Sequence, residues 1–150
     1  MSLAALATWL ITAGGGLYLL TIWLIEYDHE FQSAAATRLP VPVISAHAVL
    51  AVTGLATWAG YLITDHTGLA WTAAALLALV AMLGAIMAVR WLTVYRAHAA
   101  PPPAGVSGAG GVVAPPPERH FPLPVVIGHG IFAATTIVLV LLTVLGKGRS

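Results

Sequence analysis

The chain has 150 residues, of which 59% are hydrophobic and 7% are charged, and its mean hydropathy is +0.93. A soluble domain of this length needs several times as much charge to cover its surface, and the formal net charge of +1 argues against a nucleic-acid partner. Cysteine is absent, which excludes disulfide bonds, thiol chemistry and thiolate metal sites.

Four long runs without Lys, Arg, Asp or Glu predict four membrane-spanning helices. These runs cover residues 1–25, 39–64, 66–89 and 120–146. Within one all-α membrane domain over residues 1–150, we expect helices at about 3–26, 42–64, 69–95 and 124–146. Such a chain predicts an up-down four-helix bundle that is surrounded by the lipid bilayer.

The connections divide between two membrane faces: side A, where the chain begins, and the opposite face, side B. Side B receives residues 26–40 and a Pro/Gly/Ala-rich loop at about 97–120, which is predicted to be flexible. Four of the six Lys and Arg residues fall on side B, which favours a cytoplasmic side B. The basic tail on side A favours the opposite orientation.

Two parts of the chain resemble each other. Residues 40–55, PVPVISAHAVLAVTGL, align with residues 122–137, PLPVVIGHGIFAATTI, and residues 16–28, GLYLLTIWLIEYD, align with residues 84–96, GAIMAVRWLTVYR. The matched pairs include His47/His129, Gly16/Gly84, Trp23/Trp91 and Tyr27/Tyr95. Because the matched Pro, His, Trp and Tyr residues keep their order, the pattern predicts two duplicated helical hairpins.

The duplicated histidines are predicted to lie at one depth in the membrane. Each follows a Pro-x-Pro step by five residues, and proline is favoured in the first turn of a helix. With a rise of about 1.5 Å per residue, His47 and His129 lie about 8 Å inside their helices, in the leaflet of side B. Because the second and fourth helices of an up-down bundle are diagonal, the imidazoles can face each other across its axis.

Two facing imidazoles suit a b-type haem, because the porphyrin supplies the four remaining iron ligands. A bare metal ion would need further ligands, and no Asp, Glu or Cys occurs at that depth. A flat macrocycle also needs small residues around it, beside the ligands and at the edges of the ring. The predicted haem b site therefore has His47 and His129 as iron ligands and small residues that give clearance, namely Gly128, Gly130, Gly16 and Gly84.

Arg90 is the one full charge well inside a predicted span. A charge in a membrane usually has a partner or a route to water. Two roles are open for it: Arg90 pairs with a haem propionate, or it extends its guanidinium group to the membrane interface.

The remaining histidines are predicted to have simpler roles. His66 stands alone in the side-A turn, so a second haem is not expected on that side. The other three fall at or beyond the side-B interface, where exposed imidazoles need no special role. A metal site is the less favoured alternative there, and its candidate ligands are His29, His98, His120, Glu26, Asp28 and Glu30.

The four-helix plan with paired intramembrane histidines resembles small b-type membrane cytochromes, broadly the cytochrome b561-like proteins. That resemblance implies haem b and electron transfer. The family typically carries two histidine pairs, one in each leaflet, whereas only His47 and His129 match such a pair here. The Ala/Val/Gly/Pro-rich composition also looks like that of small membrane proteins of GC-rich bacteria, which implies a bacterial plasma membrane but no activity.

With both axial positions of iron filled by histidine, electron transfer is favoured over oxygen chemistry. A quinone or a respiratory-chain subunit is the expected redox partner, and a homo-oligomer is also open. The alternative is a structural or accessory subunit whose histidines only pack helices. Transport ranks last, since the side-A halves of the helices offer mostly Ala, Leu, Val and Thr. No nucleophile–base pair, phosphate loop or carboxylate pair indicates an enzyme.

Overall fold

The computed structural model describes residues 1–31, 37, 39–99 and 116–147. It contains four α-helices, which are α1 (Ser2–Phe31), α2 (Val41–Thr64), α3 (Thr67–Ala99) and α4 (Leu123–Lys147). A short 3-10 helix, Pro117–His120, precedes α4 and is called the cap turn below. Each α-helix contains a stretch that is long and apolar enough to cross a membrane, and no strand occurs in the described part of the chain. The predicted all-α architecture, with four helices that are long and apolar enough to span a membrane, is therefore confirmed.

Proline begins two of these helices. The carbonyl of Pro40 accepts the first hydrogen bonds of α2, and the carbonyl of Pro122 accepts the first hydrogen bonds of α4. α2 ends at Asp65, which adopts a left-handed φ of 54° and donates its N–H to the carbonyl of Tyr61. The two equivalent starts fix His47 and His129 at the same distance from the beginning of their helices.

Two helices are longer than predicted. α1 continues to residue 31 and α3 to residue 99, because charged residues such as Glu26 and Arg96 end an apolar run but remain good helix formers. Residues 97–99, at the start of the segment of about 97–120 that was predicted to be flexible, are helical, and the cap turn at its end is packed against α1 and α3. The flexibility of this segment stays a prediction. Residues 100–115 lie outside the described residues.

The helices form two close pairs. α1 lies mainly against α4, and α2 lies mainly against α3, whereas α1 with α2 and α3 with α4 make fewer contacts. In the described part of the chain, the backbones of α2 and α4 stay more than 8 Å apart, as do those of α1 and α3. His47 therefore belongs to the α2–α3 pair and His129 to the α1–α4 pair.

Fully buried side chains are concentrated near the two ends of the bundle. The side-A layer centres on Trp9, Trp58 and Tyr61, with ring centroids 6.5 Å apart for Trp9 and Trp58 and 5.0 Å apart for Trp58 and Tyr61. The side-B layer is formed by Trp23, Leu39, Trp91, Val94, Pro117 and Glu118.

Between these ends lies a level at which the two helix pairs are loosely packed. None of residues 10–22, 41–53, 81–90 and 123–135 is fully buried, although all four helices pass through this level. Protein interiors are normally close-packed, so inward-facing residues that are only half-buried indicate space between the pairs. His47 and His129 both lie at this level, which is called the histidine layer below.

Candidate functional site

His129 of α4 is held against α1. Its Nδ1 lies 2.9 Å from the carbonyl oxygen of Thr12. A Cβ atom added to Gly16 would lie 3.0 Å from Cε1 of the imidazole, and one added to Gly15 would lie 3.6 Å from Nδ1. The ring therefore occupies the space that a side chain at residue 16 would fill.

His47 of α2 has the same environment on α3. Its Nδ1 lies 3.0 Å from the carbonyl oxygen of Val80, and a Cβ atom added to Gly84 would lie 3.2 Å from its Cε1. In both helix pairs the glycine comes four residues after the accepting carbonyl, where a larger side chain would cover that oxygen. The two histidines are thus positioned by equivalent contacts.

The two imidazole rings are neighbours and form no hydrogen bond with each other. Their centroids are 6.4 Å apart and their planes are inclined by 55°. The nearest ring nitrogens at this separation are about 4 Å apart or more, which is beyond hydrogen-bond distance. The space between the rings is therefore wide enough for a single bridging atom.

The hydrogen bonds determine which nitrogen of each ring is available. A carbonyl oxygen can only accept, so Nδ1 must carry the proton and donate it. In the neutral ring Nε2 then carries a lone pair. No described residue forms a hydrogen bond with Nε2 of His47 or His129. Both rings therefore offer a free metal-ligating nitrogen inside an apolar bundle.

The glycines predicted to give clearance fall into two groups. Gly16 and Gly84 lie directly against the imidazoles and make room for the histidine rings themselves. Gly128 and Gly130 flank His129 in sequence, and a Cβ atom added to either would meet nothing within 4 Å. A role for Gly128 and Gly130 beside a bound ligand stays a prediction.

Arg90 lies on α3, six residues after Gly84 and therefore about 9 Å nearer to side B along the helix. The residue is exposed and borders an open groove of about 390 Å³ with Met82, Ala85, Ile86 and Val89. It lies nearer to the membrane interface than either histidine. Its pairing with a ligand carboxylate stays a prediction.

Sequence reasoning missed Glu118, which the structure places in the side-B layer with none of its surface exposed. The hydroxyl of Thr37 donates to Oε2 of Glu118 over 3.1 Å, and the indole N–H of Trp23 donates to the same hydroxyl over 3.3 Å. This network ties the cap turn to α1 and to the segment before α2. The only signal in the sequence was a carboxylate enclosed between a proline run and the start of an apolar helix.

Replacing Glu118 with alanine is expected to lower the free energy of unfolding by about 1–3 kcal/mol, because Thr37 loses a buried acceptor and a cavity forms. The exposed neighbour Arg119 provides the control, since Arg119→Ala removes no buried group. Thermal unfolding of the detergent-solubilised protein, followed by circular dichroism, measures the difference. Equal unfolding midpoints for the two variants would contradict this role of Glu118.

The other side-B histidines are only partly described. His120 Nδ1 lies 3.4 Å from Oε2 of Glu26, so two of the candidate metal ligands do come together. The side chains of His29, Asp28, Glu30 and His98 lie outside the described residues. Among the described residues, no group of three or more His, Asp or Glu side chains could hold a metal ion. His66 is exposed next to Asp65 in the side-A turn.

Comparison with protein-family models, with curated proteins and with solved structures finds no match to this chain. The function of the site must therefore be inferred from its own residues: two imidazoles, held on different helix pairs, whose Nε2 atoms have no hydrogen-bond partner among the described residues.

Proposed function

We propose that the protein is a membrane haem protein that holds one haem b between His47 and His129 and takes part in electron transfer. The observation that carries this proposal is the facing pair of imidazoles, each hydrogen-bonded through Nδ1 to a backbone carbonyl. A quinone or a respiratory-chain subunit in a bacterial plasma membrane is the proposed redox partner. The proposal makes the protein cytochrome b561-like, with one histidine pair instead of two.

The separation of the rings fits two axial ligands of one iron. An imidazole–metal bond is about 2 Å long, so two rings that share one metal ion have centroids about 6 Å apart. The centroids of His47 and His129 are 6.4 Å apart.

The hydrogen bonds of the histidines also fit ligation. A metal-ligating histidine usually donates its second ring N–H to a carbonyl, a carboxylate or water, which fixes the tautomer and the direction of the ligating nitrogen. Val80 and Thr12 supply such carbonyls at 3.0 and 2.9 Å. The chain thus holds both rings in the tautomer that iron needs before any ligand is bound.

The loose packing of the histidine layer supports a flat ligand between the two helix pairs. A porphyrin is about 10 Å across, and small residues let helix backbones border such a plane. Gly128 and Gly130 leave open space beside His129, and no residue of the layer is fully buried. Held in this way, haem would supply a one-electron carrier without an open coordination position for oxygen.

The equivalent contacts of the two histidines support duplicated hairpins in an up-down bundle. Thr12 and Gly16 on α1 correspond to Val80 and Gly84 on α3 in the alignment of residues 16–28 with 84–96, extended by four residues. Thr12 and Val80 each accept a hydrogen bond from a histidine through their backbone carbonyls. Gly16 and Gly84 each leave space for the imidazole ring. Duplication gives a direct reason for this equivalence, because each copy would contribute one iron ligand.

The hydrogen bonds also favour a second candidate function, that of a structural or accessory subunit. An imidazole that donates to a carbonyl of the neighbouring helix joins the two helices, and in a membrane such a bond stabilises their association. This interpretation explains the α1–α4 and α2–α3 pairs. It gives no reason for the two rings to face each other with both Nε2 atoms free.

Expression of the protein with ample haem, followed by a reduced-minus-oxidised absorbance spectrum, separates the two candidates. We expect a low-spin b-type spectrum and one haem per chain, because both axial ligands come from the protein. A folded, monodisperse protein that binds no haem under these conditions would overturn the proposal and favour the structural role.

A further inference from the structure

Trp91 is a buried side chain with an unused hydrogen-bond donor. It lies on α3 in the side-B layer, and 8% of its surface is exposed. Its ring stacks on Tyr95 with centroids 5.2 Å apart. No described residue accepts a hydrogen bond from the indole N–H of Trp91, although buried indole N–H groups usually have an acceptor.

The tryptophan at the corresponding position of α1, unlike Trp91, has a hydrogen-bond acceptor. Trp23 aligns with Trp91, stacks on Tyr27 in the same way and donates its indole N–H to the hydroxyl of Thr37 over 3.3 Å. Trp58 likewise donates to the carbonyl of Ser2. Trp9 also has no acceptor among the described residues, and it lies in the side-A layer against Trp58.

The position of Trp91 indicates what its acceptor would be. It comes seven residues, or two helical turns, after Gly84, so it lies on the same face of α3 and about 10 Å nearer to side B than the contact with His47. A buried donor on the side-B edge of the histidine layer suits an anionic oxygen at the edge of a ligand in that layer, because a charge-assisted hydrogen bond to a carboxylate is stronger than one to a neutral acceptor.

We propose that Trp91 donates its indole N–H to a carboxylate of the porphyrin held by His47 and His129, so that the carboxylate edge of the ligand is turned toward side B. The inference rests on the proposed function. It adds a residue that binds a carboxylate of the porphyrin, whereas the two histidines bind its iron.

The test compares two porphyrins and two proteins. Wild type and Trp91→Phe are titrated in detergent with haem b and with its dimethyl ester, in which both carboxylates are esterified. Trp91→Phe is expected to weaken the binding of haem b by about tenfold and to leave the binding of the ester nearly unchanged. Both complexes should keep the low-spin spectrum, because both histidines are intact.

Trp23→Phe and Trp9→Phe are the matched controls. Each removes a buried indole from another position, so any effect on binding should be the same for haem b and for the ester. If Trp91→Phe weakens the binding of haem b and of the ester equally, or weakens neither, the proposed role of Trp91 is overturned. A low-spin spectrum in that experiment would still support haem binding by the two histidines. Failure of wild type to bind either porphyrin would overturn the proposed function itself.

A measurement on wild type avoids dependence on the folding of a variant. Ultraviolet resonance Raman spectroscopy reports hydrogen bonding at indole nitrogen. The spectrum should contain one more hydrogen-bonded tryptophan with haem b than with the ester. Identical indole bands for the two complexes would contradict the proposal.

Discussion

Replacement of either His47 or His129 with alanine is expected to abolish the low-spin haem spectrum completely. Each ring offers one free Nε2, and the 6.4 Å between the ring centroids leaves room for one shared metal atom. Loss of one ring leaves iron with a single axial imidazole, which cannot maintain the bis-histidine low-spin state. The absorbance spectrum of the purified variant, recorded after haem reconstitution, measures the effect.

His66→Ala and His120→Ala are the controls, since both residues are exposed and lie outside the histidine layer. Their spectra should match that of wild type. An unaltered low-spin spectrum in His47→Ala or in His129→Ala would refute the axial pair, because each half of the site is proposed to supply one ligand. If the histidines only join helices, both variants lose stability and wild type has no haem spectrum to lose.

Replacement of Gly16 with leucine is expected to lower haem affinity by about tenfold or more. A Cβ atom at residue 16 would already lie 3.0 Å from Cε1 of His129, so the larger side chain must displace the ring from its hydrogen bond with Thr12. Overpacking of a tight site costs about 1–3 kcal/mol, and about 1.4 kcal/mol corresponds to a tenfold change in affinity. Haem titration in detergent, followed at the Soret band, measures the loss.

Gly14→Leu provides the matched control on the same helix. Residue 14 is exposed, and a Cβ atom there meets nothing within 4 Å. Leucine is also a better helix former than glycine at both positions, so α1 should remain intact in either variant. Gly84→Leu should reproduce the Gly16→Leu effect through His47, because the added Cβ would lie 3.2 Å from that ring. Equal affinities of the Gly14 and Gly16 variants would mean that the ring positions do not control haem binding.

The sequence alone determined the all-α class of the protein and the number of helices that are long and apolar enough to cross a membrane. Charged residues are so costly in hydrocarbon that runs without them, such as residues 39–64 and 120–146, identify candidate spans before any packing is known. The prolines at the starts of α2 and α4 likewise predicted where both helices begin, because the preference of proline for the first helical turn is a local property of the backbone. The equal depth of His47 and His129 followed from these starts and from the fixed rise of a helix.

The tertiary structure decided what the histidines touch. Their Nδ1 partners are the carbonyls of Thr12 and Val80, and a backbone carbonyl is the same in every residue type, so the sequence carries no signal for it. The glycines at 16 and 84 were visible in the repeat, but only the packing of α1 on α4 and of α2 on α3 revealed that they make room for imidazoles.

The burial of Glu118, at the end of the long third connection, was not predicted for a related reason. Composition measures how many apolar residues a segment could bury, and the Pro/Gly/Ala-rich segment has few. Glu118 is nevertheless buried, and Thr37, which is distant in sequence, donates a hydrogen bond to its carboxyl group, as buried polar groups require. Local patterns thus predicted the helices and the positions of the histidines along them, whereas contacts between distant segments decided which polar atoms have hydrogen-bond partners within the described chain.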